Sequence, residues 1–128
     1  NDEIVVCFKL PKRPPGSGDA YLRFTPRTEM DIAVAGCAVN LTLDDKGVCK
    51  NARVALGAVA SRALLVEEAG NALVGTSIDE YALDALAAAT RAACSPIDDK
   101  RGTIEFRTEI AGVLAQRAAT IALERAKV

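Results

Sequence analysis

The 128-residue sequence contains no histidine and no tryptophan, and its aromatic side chains are limited to two tyrosines and three phenylalanines. Histidine is the commonest general base and the commonest metal ligand near neutral pH, so its absence removes the simplest routes to a hydrolytic triad or a zinc enzyme. The few aromatic residues leave little material for an aromatic-lined pocket. No nucleophile–base pair and no phosphate-binding loop is visible, so the sequence gives no support for a free-standing enzyme.

Cysteines are present, but no two of them lie close together in the sequence. They occur at Cys7, Cys37, Cys49 and Cys94, with no Cys-x-x-Cys pair. This spacing argues against a zinc or iron–sulfur site, and no metal ligand is predicted. A disulfide framework is not expected in a domain with this much ordinary apolar core. The four cysteines are therefore predicted to be buried structural thiols.

The sequence has neither a large excess of one sign of charge nor a long apolar run. The formal net charge is −1, so no basic surface for nucleic acid is predicted. No apolar stretch reaches the roughly 18 residues that a membrane-spanning helix needs. The chain lacks a secretory signal pattern and begins with Asn1, so we expect a piece of a longer polypeptide. Its length predicts that residues 1–128 form a single domain.

The first half of the chain has the alternation that is typical of β-strands. Residues 4–10 predict a first strand, and the proline- and glycine-rich residues 11–19 predict a loop with a flexible Gly16-Ser17-Gly18 connection. Residues 31–43 predict a second strong strand. A tight turn at residues 44–47 then leads into a third strand over residues 48–59. Two strands joined by a tight turn indicate an antiparallel pair.

The second half changes to helical spacing. Ser61 is predicted to cap a helix that ends near Val74, and Ser77 with Glu80 has the capping-box pattern for a second helix. Thr103 is predicted to cap a long final helix, whose apolar stripe follows Ile110, Leu114, Arg117/Ala118 and Ile121. Strands followed by helices predict the α+β class, with an antiparallel sheet of three or more strands covered on one face by about three helices.

Three blocks of sequence resemble one known family. The first combines Tyr21-Leu22-Arg23-Phe24 with Arg27 and with residues 31–33 (DIA). The second is residues 52–57 (ARVALG), followed by Arg62, Glu67 and residues 73–75 (LVG). The third is residues 96–102 (PIDDKRG), followed by Phe106-Arg107. In this order and register they resemble the C-terminal domain of the FAD-binding medium subunit of molybdenum hydroxylases, the carbon monoxide dehydrogenase and xanthine dehydrogenase family.

The resemblance implies a place in an oxidoreductase assembly. In such enzymes a molybdopterin large subunit oxidises the substrate, and electrons pass through two [2Fe–2S] clusters of a small subunit to FAD. The FAD is held mainly by an N-terminal domain of the medium subunit, which this chain lacks, and this domain packs beside it. The resemblance also implies a cytoplasmic location. A second interpretation stays open, in which the domain is a subunit-interface module without cofactor contact.

The same resemblance implies the site residues. Arg23 stands where the family commonly has lysine, and a fixed cation there would face the edge of the flavin that becomes anionic on reduction. Asp31 is a second candidate for the cofactor site, and Arg27 is expected to position the loop through an ion pair with it. The alternatives without a functional role are a solvated Arg23 and an Asp31 that binds nearby backbone N–H groups. No catalytic residue is predicted. The acidic pair Asp98-Asp99 is predicted to be a salt-bridged turn, in which Asp99 pairs with Arg101 or Arg107.

Overall fold

The computed structural model describes residues 4–128 and has a four-stranded antiparallel sheet with three helices. The strands are β1 (Ser17–Phe24), β2 (Ala35–Leu43), β3 (Cys49–Gly57) and β4 (Leu64–Leu65), in that spatial order. The helices are α1 (Glu67–Asn71), α2 (Glu80–Ala93) and α3 (Ile104–Ala126). The predicted α+β class, with its antiparallel sheet and three helices, is confirmed.

Alternation along the strands gives the sheet one buried and one open face. On β2, Cys37, Val39 and Leu41 are buried, whereas Asn40 between them is exposed. The helix α3 packs on β1 and β2, α1 packs on β3, and α2 packs on α1 and α3. The helical layer therefore covers one face of the sheet, and no helix of residues 4–128 lies on the other face.

The β2–β3 hairpin forms as its sequence predicts. The Asp44 carboxylate accepts hydrogen bonds from the amides of Lys46 and Val48, both at 2.9 Å, and Gly47 takes a φ of 79°. A short aspartate side chain and a residue tolerant of positive φ are what such a turn requires. The register between β2 and β3 shifts between Thr42 and Leu43, next to the turn.

Helix α3 is also confirmed, with an unexpected buried face. The Thr103 hydroxyl caps it by accepting from the Phe106 amide at 3.2 Å. Ile110 and Ile121 are only half-buried, whereas the face that packs on the sheet is dominated by alanine. Its fully buried alanines are Ala111, Ala115, Ala118, Ala119 and Ala122. Small side chains let the helix approach the strands closely, which a search for large apolar residues does not reveal.

The predicted strand over residues 4–10 is wrong. This segment is not in a strand, and its apolar side chains are exposed, with Val6 at 90% and Phe8 at 86%. Alternation alone does not make a strand, because the backbone N–H and C=O groups must also pair with a neighbouring strand. The predicted loop is also too long, since Ser17 and Gly18 belong to β1 and are not a flexible connection.

The predicted first helix from Ser61 to Val74 is wrong at its beginning. Leu64 and Leu65 instead pair with Leu56 and Ala55 of β3, and α1 starts only at Glu67. The predicted cap at Ser77 is wrong by two residues, since Asp79 caps α2 by accepting from the Ala82 amide at 3.0 Å. The charged pair Glu67-Glu68 lies on the exposed surface of α1.

The cysteines differ sharply in exposure, which predicts their reactivity. Cys37 and Cys49 are buried, Cys94 is half-buried and Cys7 is exposed, so the prediction of four buried thiols is wrong for Cys7. Burial raises the pKa of the Cys37 thiol to about 12. Because the thiolate is the reactive form, iodoacetamide should label Cys7 first and Cys37 only after unfolding. Peptide mass mapping under native and denaturing conditions checks this, and rapid native labelling of Cys37 would contradict the packing.

No helix among the described residues combines the length and the apolar character that crossing a bilayer requires. The same residues contain no group of three or more side chains suited to holding a metal ion.

Candidate functional site

The first predicted site residue, Arg23, lies on the open face of the sheet near the end of β1. It is exposed, and in register it is opposite Gly36 of β2, which is opposite Gly57 of β3. Arg23 forms no ion pair with another residue of the range 4–128. A permanent positive charge therefore stands at an end of the sheet where its cross-strand neighbours carry no side chains.

The two glycines leave this part of the sheet flat. A Cβ atom added to Gly36 would lie 2.9 Å from the Tyr21 hydroxyl, whereas one added to Gly57 would meet nothing within 4 Å. The exposed Tyr21 ring thus lies over Gly36, two residues along β1 from Arg23. A flat surface with one cation and one aromatic ring can accept a planar group that carries negative charge at its edge.

The loop after Arg23 is closed at its base by backbone and aromatic contacts. The Val34 amide donates to the Phe24 carbonyl at 2.8 Å, and the rings of Phe24 and Phe106 meet edge to face with centroids 5.9 Å apart. Within the loop the Thr25 hydroxyl donates to the Arg27 carbonyl at 2.7 Å. Residues 25–33 therefore form an ordered turn whose two ends are held beside Arg23.

Asp31 is the centre of this loop. Its side chain is only 5% exposed, and its carboxylate accepts from the amides of Ile32 and Arg27 at 2.9 and 3.1 Å. The Arg27 Nε lies 3.5 Å from the same carboxylate, and the Arg101 Nε lies 3.4 Å from it. The local ion pair expected between Arg27 and Asp31 is present, and the distant Arg101 is an additional partner.

Asp99 forms a second ionic centre, as its sequence context suggests. It pairs with both predicted arginines, with the Arg107 Nη2 at 2.6 Å and the Arg101 Nη1 at 3.8 Å, and it accepts from the Arg101 amide at 2.7 Å. Arg107 is buried and also donates to the Val34 carbonyl at 2.9 Å. Asp98, which directly precedes Asp99, accepts from the Ile104 amide at 2.6 Å at the start of α3. Asp98 and Asp99 therefore accept hydrogen bonds and ion pairs that hold the local structure.

Hydrogen bonds from backbone and arginine groups make both of the central carboxylates more acidic. For Asp31, burial alone would raise the pKa, but the bonds from Ile32, Arg101 and Arg27 hold it below its ordinary value of 3.8. For Asp99, bonds from the Arg101 amide and the Arg107 guanidinium lower the pKa below the same value. Both groups favour the ionised form in the folded state.

These lowered pKa values predict acid sensitivity. The stability that Asp31 and Asp99 contribute is fully present above their ordinary pKa of 3.8 and is lost as the pH falls through their lower folded values. Urea unfolding midpoints measured between about pH 6 and pH 2 should therefore fall steeply below about pH 4. The Asp99→Asn variant should show a shallower fall than Asp45→Asn, a control in the exposed hairpin turn. Equal pH profiles for the two variants would contradict the assignment.

A cleft of about 420 Å³ opens next to the ionic residues. Its walls come from the segments before β2, after β3 and between α2 and α3, together with Arg107 of α3. The lining residues are Ile32, Ala33, Ala58, Ala60, Ser61, Ser95, Pro96, Ile97, Asp99 and Arg107. The exposed Ile32 and Ile97 give the cleft an apolar rim.

The sequence did not predict which of its distant segments come into contact at this site. The pairing of Arg101 with Asp31 joins residues 70 positions apart, and the buried bond from Arg107 to Val34 spans 73. The charged composition of residues 97–102 was a signal for ion pairs, but it carried no information on the distant partner. The structure brings Arg27, Asp31, Asp99 and Arg101 into one cluster, with Arg23 beyond the base of the loop on the open face.

Comparison with known proteins shows what this arrangement resembles. Residues 20–122 match the family described as the CO dehydrogenase flavoprotein C-terminal domain. The carbon monoxide dehydrogenase medium chain of Afipia carboxidovorans is 42% identical over 125 residues, which is 98% of this chain and 43% of that protein. Subunit alpha of the 6-hydroxypseudooxynicotine dehydrogenase complex of Paenarthrobacter nicotinovorans is 30% identical over 98% of this chain and 42% of that protein.

The fold agrees with solved structures as well. A chain of the reconstituted CO dehydrogenase from Oligotropha carboxidovorans superposes with a TM-score of 0.85 at 41% identity, over 91% of this chain and 40% of that chain. The chain therefore spans less than half the length of these relatives.

Proposed function

The chain belongs to the CO dehydrogenase flavoprotein C-terminal domain family, and on that premise we propose that it is the C-terminal domain of the FAD-binding subunit of a molybdopterin, iron–sulfur and FAD oxidoreductase. The other part of the subunit, an N-terminal domain, would hold most of the FAD. An iron–sulfur small subunit and a molybdopterin large subunit are its proposed partners, in the cytoplasm. The relatives support this, since their names include a carbon monoxide dehydrogenase medium chain and a subunit of a dehydrogenase complex.

The role that we propose for this domain is to form one edge of the flavin site. FAD, when bound, supplies the redox chemistry by accepting an electron pair, and its reduced form is anionic at the N1–C2=O edge. Arg23 would place a permanent positive charge at that edge and so favour the reduced form. The observation that carries this proposal is an exposed Arg23 that forms no ion pair with residues 4–128, on a flat surface opposite Gly36 and Gly57.

Arginine in place of the family's common lysine suits this role. The planar guanidinium can donate two hydrogen bonds, to a carbonyl oxygen and to a ring nitrogen at once, and it stays charged at any relevant pH. Asp31 and Arg27 would contribute to the site by holding residues 25–33 in place, not by proton transfer. We assign no catalytic residue to this domain.

The proposal predicts where FAD binding resides. The isolated chain should be colourless and bind added FAD weakly or not at all, whereas the complete subunit should retain FAD through gel filtration. Absorbance near 450 nm, relative to absorbance at 280 nm, measures the bound fraction. A complete, folded subunit that stays without flavin in excess FAD would rule out the proposal.

The second candidate function is a subunit interface without cofactor contact. The exposed Tyr21 and Leu65 line one groove on the open face of the sheet and favour it, since contiguous exposed apolar surface marks contact sites. Arg23→Ala in the assembled enzyme separates the two candidates. Altered reoxidation of the flavin with intact assembly supports the cofactor role, and unchanged flavin with weakened assembly supports the interface.

A further inference from the structure

Five charged side chains form a continuous chain of alternating sign across the domain surface. From the loop inward they are Arg27, Asp31, Arg101, Asp99 and Arg107, joined by N···O distances of 3.5, 3.4, 3.8 and 2.6 Å. The two ends differ in exposure, since the Arg27 side chain is 70% exposed and the Arg107 side chain is 5% exposed. The chain thus ties an exposed loop to a residue fixed in the core.

Arg101 is the one member that bridges the two carboxylates. Its Nε binds Asp31, its Nη1 faces Asp99, and its amide donates to Asp99 at 2.7 Å. Asp99 is held from the other side by Arg107, so the position of Arg101 is set by α3. Removing its guanidinium would leave the nearly buried Asp31 with the solvent-exposed Arg27 as its remaining arginine partner.

The segment that Arg101 holds, residues 25–33, begins after Phe24, the residue next to Arg23. Phe24 follows Arg23 and is fixed by the Val34 amide and by the Phe106 ring. Arg107 binds the carbonyl of the same Val34 at 2.9 Å. Displacing the loop at Asp31 would therefore act on the backbone that sets the end of β1.

We propose that Arg101 is a positioning residue for the flavin site, acting through Asp31 to hold residues 25–33 and thereby the orientation of Arg23. This inference rests on the proposed function of Arg23. Arg101 need not touch the cofactor, since its effect is to reduce the number of arrangements open to the loop. Fixed geometry of supporting groups is a general requirement for strong binding by the groups that touch a ligand.

The test uses the complete subunit with FAD and measures the FAD dissociation constant by the recovery of flavin fluorescence. The Arg101→Gln variant should bind FAD about three- to tenfold more weakly, which lies in the lower part of the range for coupled neighbouring groups. Arg101→Lys should recover part of this loss, because lysine restores one ion pair but not the fork. Lys100→Gln is the matched control, since it removes the same charge from the adjacent exposed position.

A double-variant cycle with Arg23→Gln identifies the route of the effect. If Arg101 acts through Arg23, the double variant should bind FAD no more weakly than Arg23→Gln alone. Additive losses, or an Arg101→Gln variant that binds FAD like Lys100→Gln, would overturn the inference while leaving the role of Arg23 intact. An Arg23→Gln variant with unchanged affinity for both oxidised and reduced FAD would instead refute the proposed role of Arg23. Thermal unfolding of every variant checks the fold, and if Arg101→Gln does not fold, the same cycle with Arg101→Lys decides.

Discussion

Replacing Gly18 with alanine is expected to destabilise the domain by about 3 kcal/mol or more. Gly18 lies in β1 at the point where this strand crosses under the end of α3. An added Cβ atom would overlap the Ala122 carbonyl oxygen and would lie 2.7 Å from the Ala126 amide nitrogen. Both are backbone atoms of a helix, which cannot rotate away as a side chain can, so the strand and helix must separate.

Urea unfolding followed by far-ultraviolet circular dichroism measures this effect. Gly57→Ala is the matched control, because a Cβ atom there would meet nothing within 4 Å and Gly57 lies outside the positive-φ glycines. The control should be neutral or up to about 1 kcal/mol more stable, since alanine restricts the unfolded chain. Equal stability of Gly18→Ala and Gly57→Ala would show that α3 does not pack on β1 as described.

The second large effect concerns the one-sided core of the sheet. Leu41 lies in β2 with no exposed surface, under the helical layer, and Leu41→Ala should cost about 3 kcal/mol. The loss combines reduced burial of apolar surface with the cavity that remains. Its neighbour Asn40 points to the open face and is exposed, so Asn40→Ala should change stability by less than about 0.5 kcal/mol.

Unfolding free energies of these two adjacent variants test the strand register directly. A shift of one residue in β2 would exchange their faces and reverse the order of the two effects. A large loss for Asn40→Ala with a small loss for Leu41→Ala would therefore contradict the sheet alignment.

Local chemistry explains which parts of the fold were predictable. The hairpin at Asp44 and Gly47 and the cap at Thr103 depend on residues within four positions of one another, so their sequences alone predict them. The wrong strand over residues 4–10 has good alternation but no strand partner among the described residues. The first helix starts late because residues 64–65 find a partner in β3, which local spacing does not reveal.

In the candidate site, too, contacts between near neighbours were predictable and contacts between distant residues were not. The pairs of Arg27 with Asp31 and of Asp99 with Arg101 join near neighbours, and the sequence predicted both. The bond from Arg101 to Asp31 depends on how the α2–α3 connection meets the β1–β2 loop, which is set by packing of the whole domain. The same holds for the two glycines beside Arg23, because Gly36 and Gly57 become neighbours only through strand register.

The buried, alanine-rich face of α3 was predicted only in part from the spacing of apolar residues. The predicted stripe includes Leu114 and Ala118, which are buried, but also Ile110 and Ile121, which the structure leaves half-buried. The closest approach to the sheet is made by small residues, with Gly18 on the strand and Ala122 on the helix. A composition dominated by alanine could have indicated close helix packing, but not which face of α3 makes the contact.

We propose that Arg23 stabilises the reduced flavin, so the midpoint potential of FAD in the complete subunit should depend on the charge at this position. Arg23→Gln should lower the two-electron potential by about 30 mV, which corresponds to about a tenfold loss of affinity for reduced relative to oxidised FAD. Arg23→Lys should stay near the parent value, because it keeps the charge. An Arg23→Gln potential equal to that of the parent and of the Lys100→Gln control would contradict the claim.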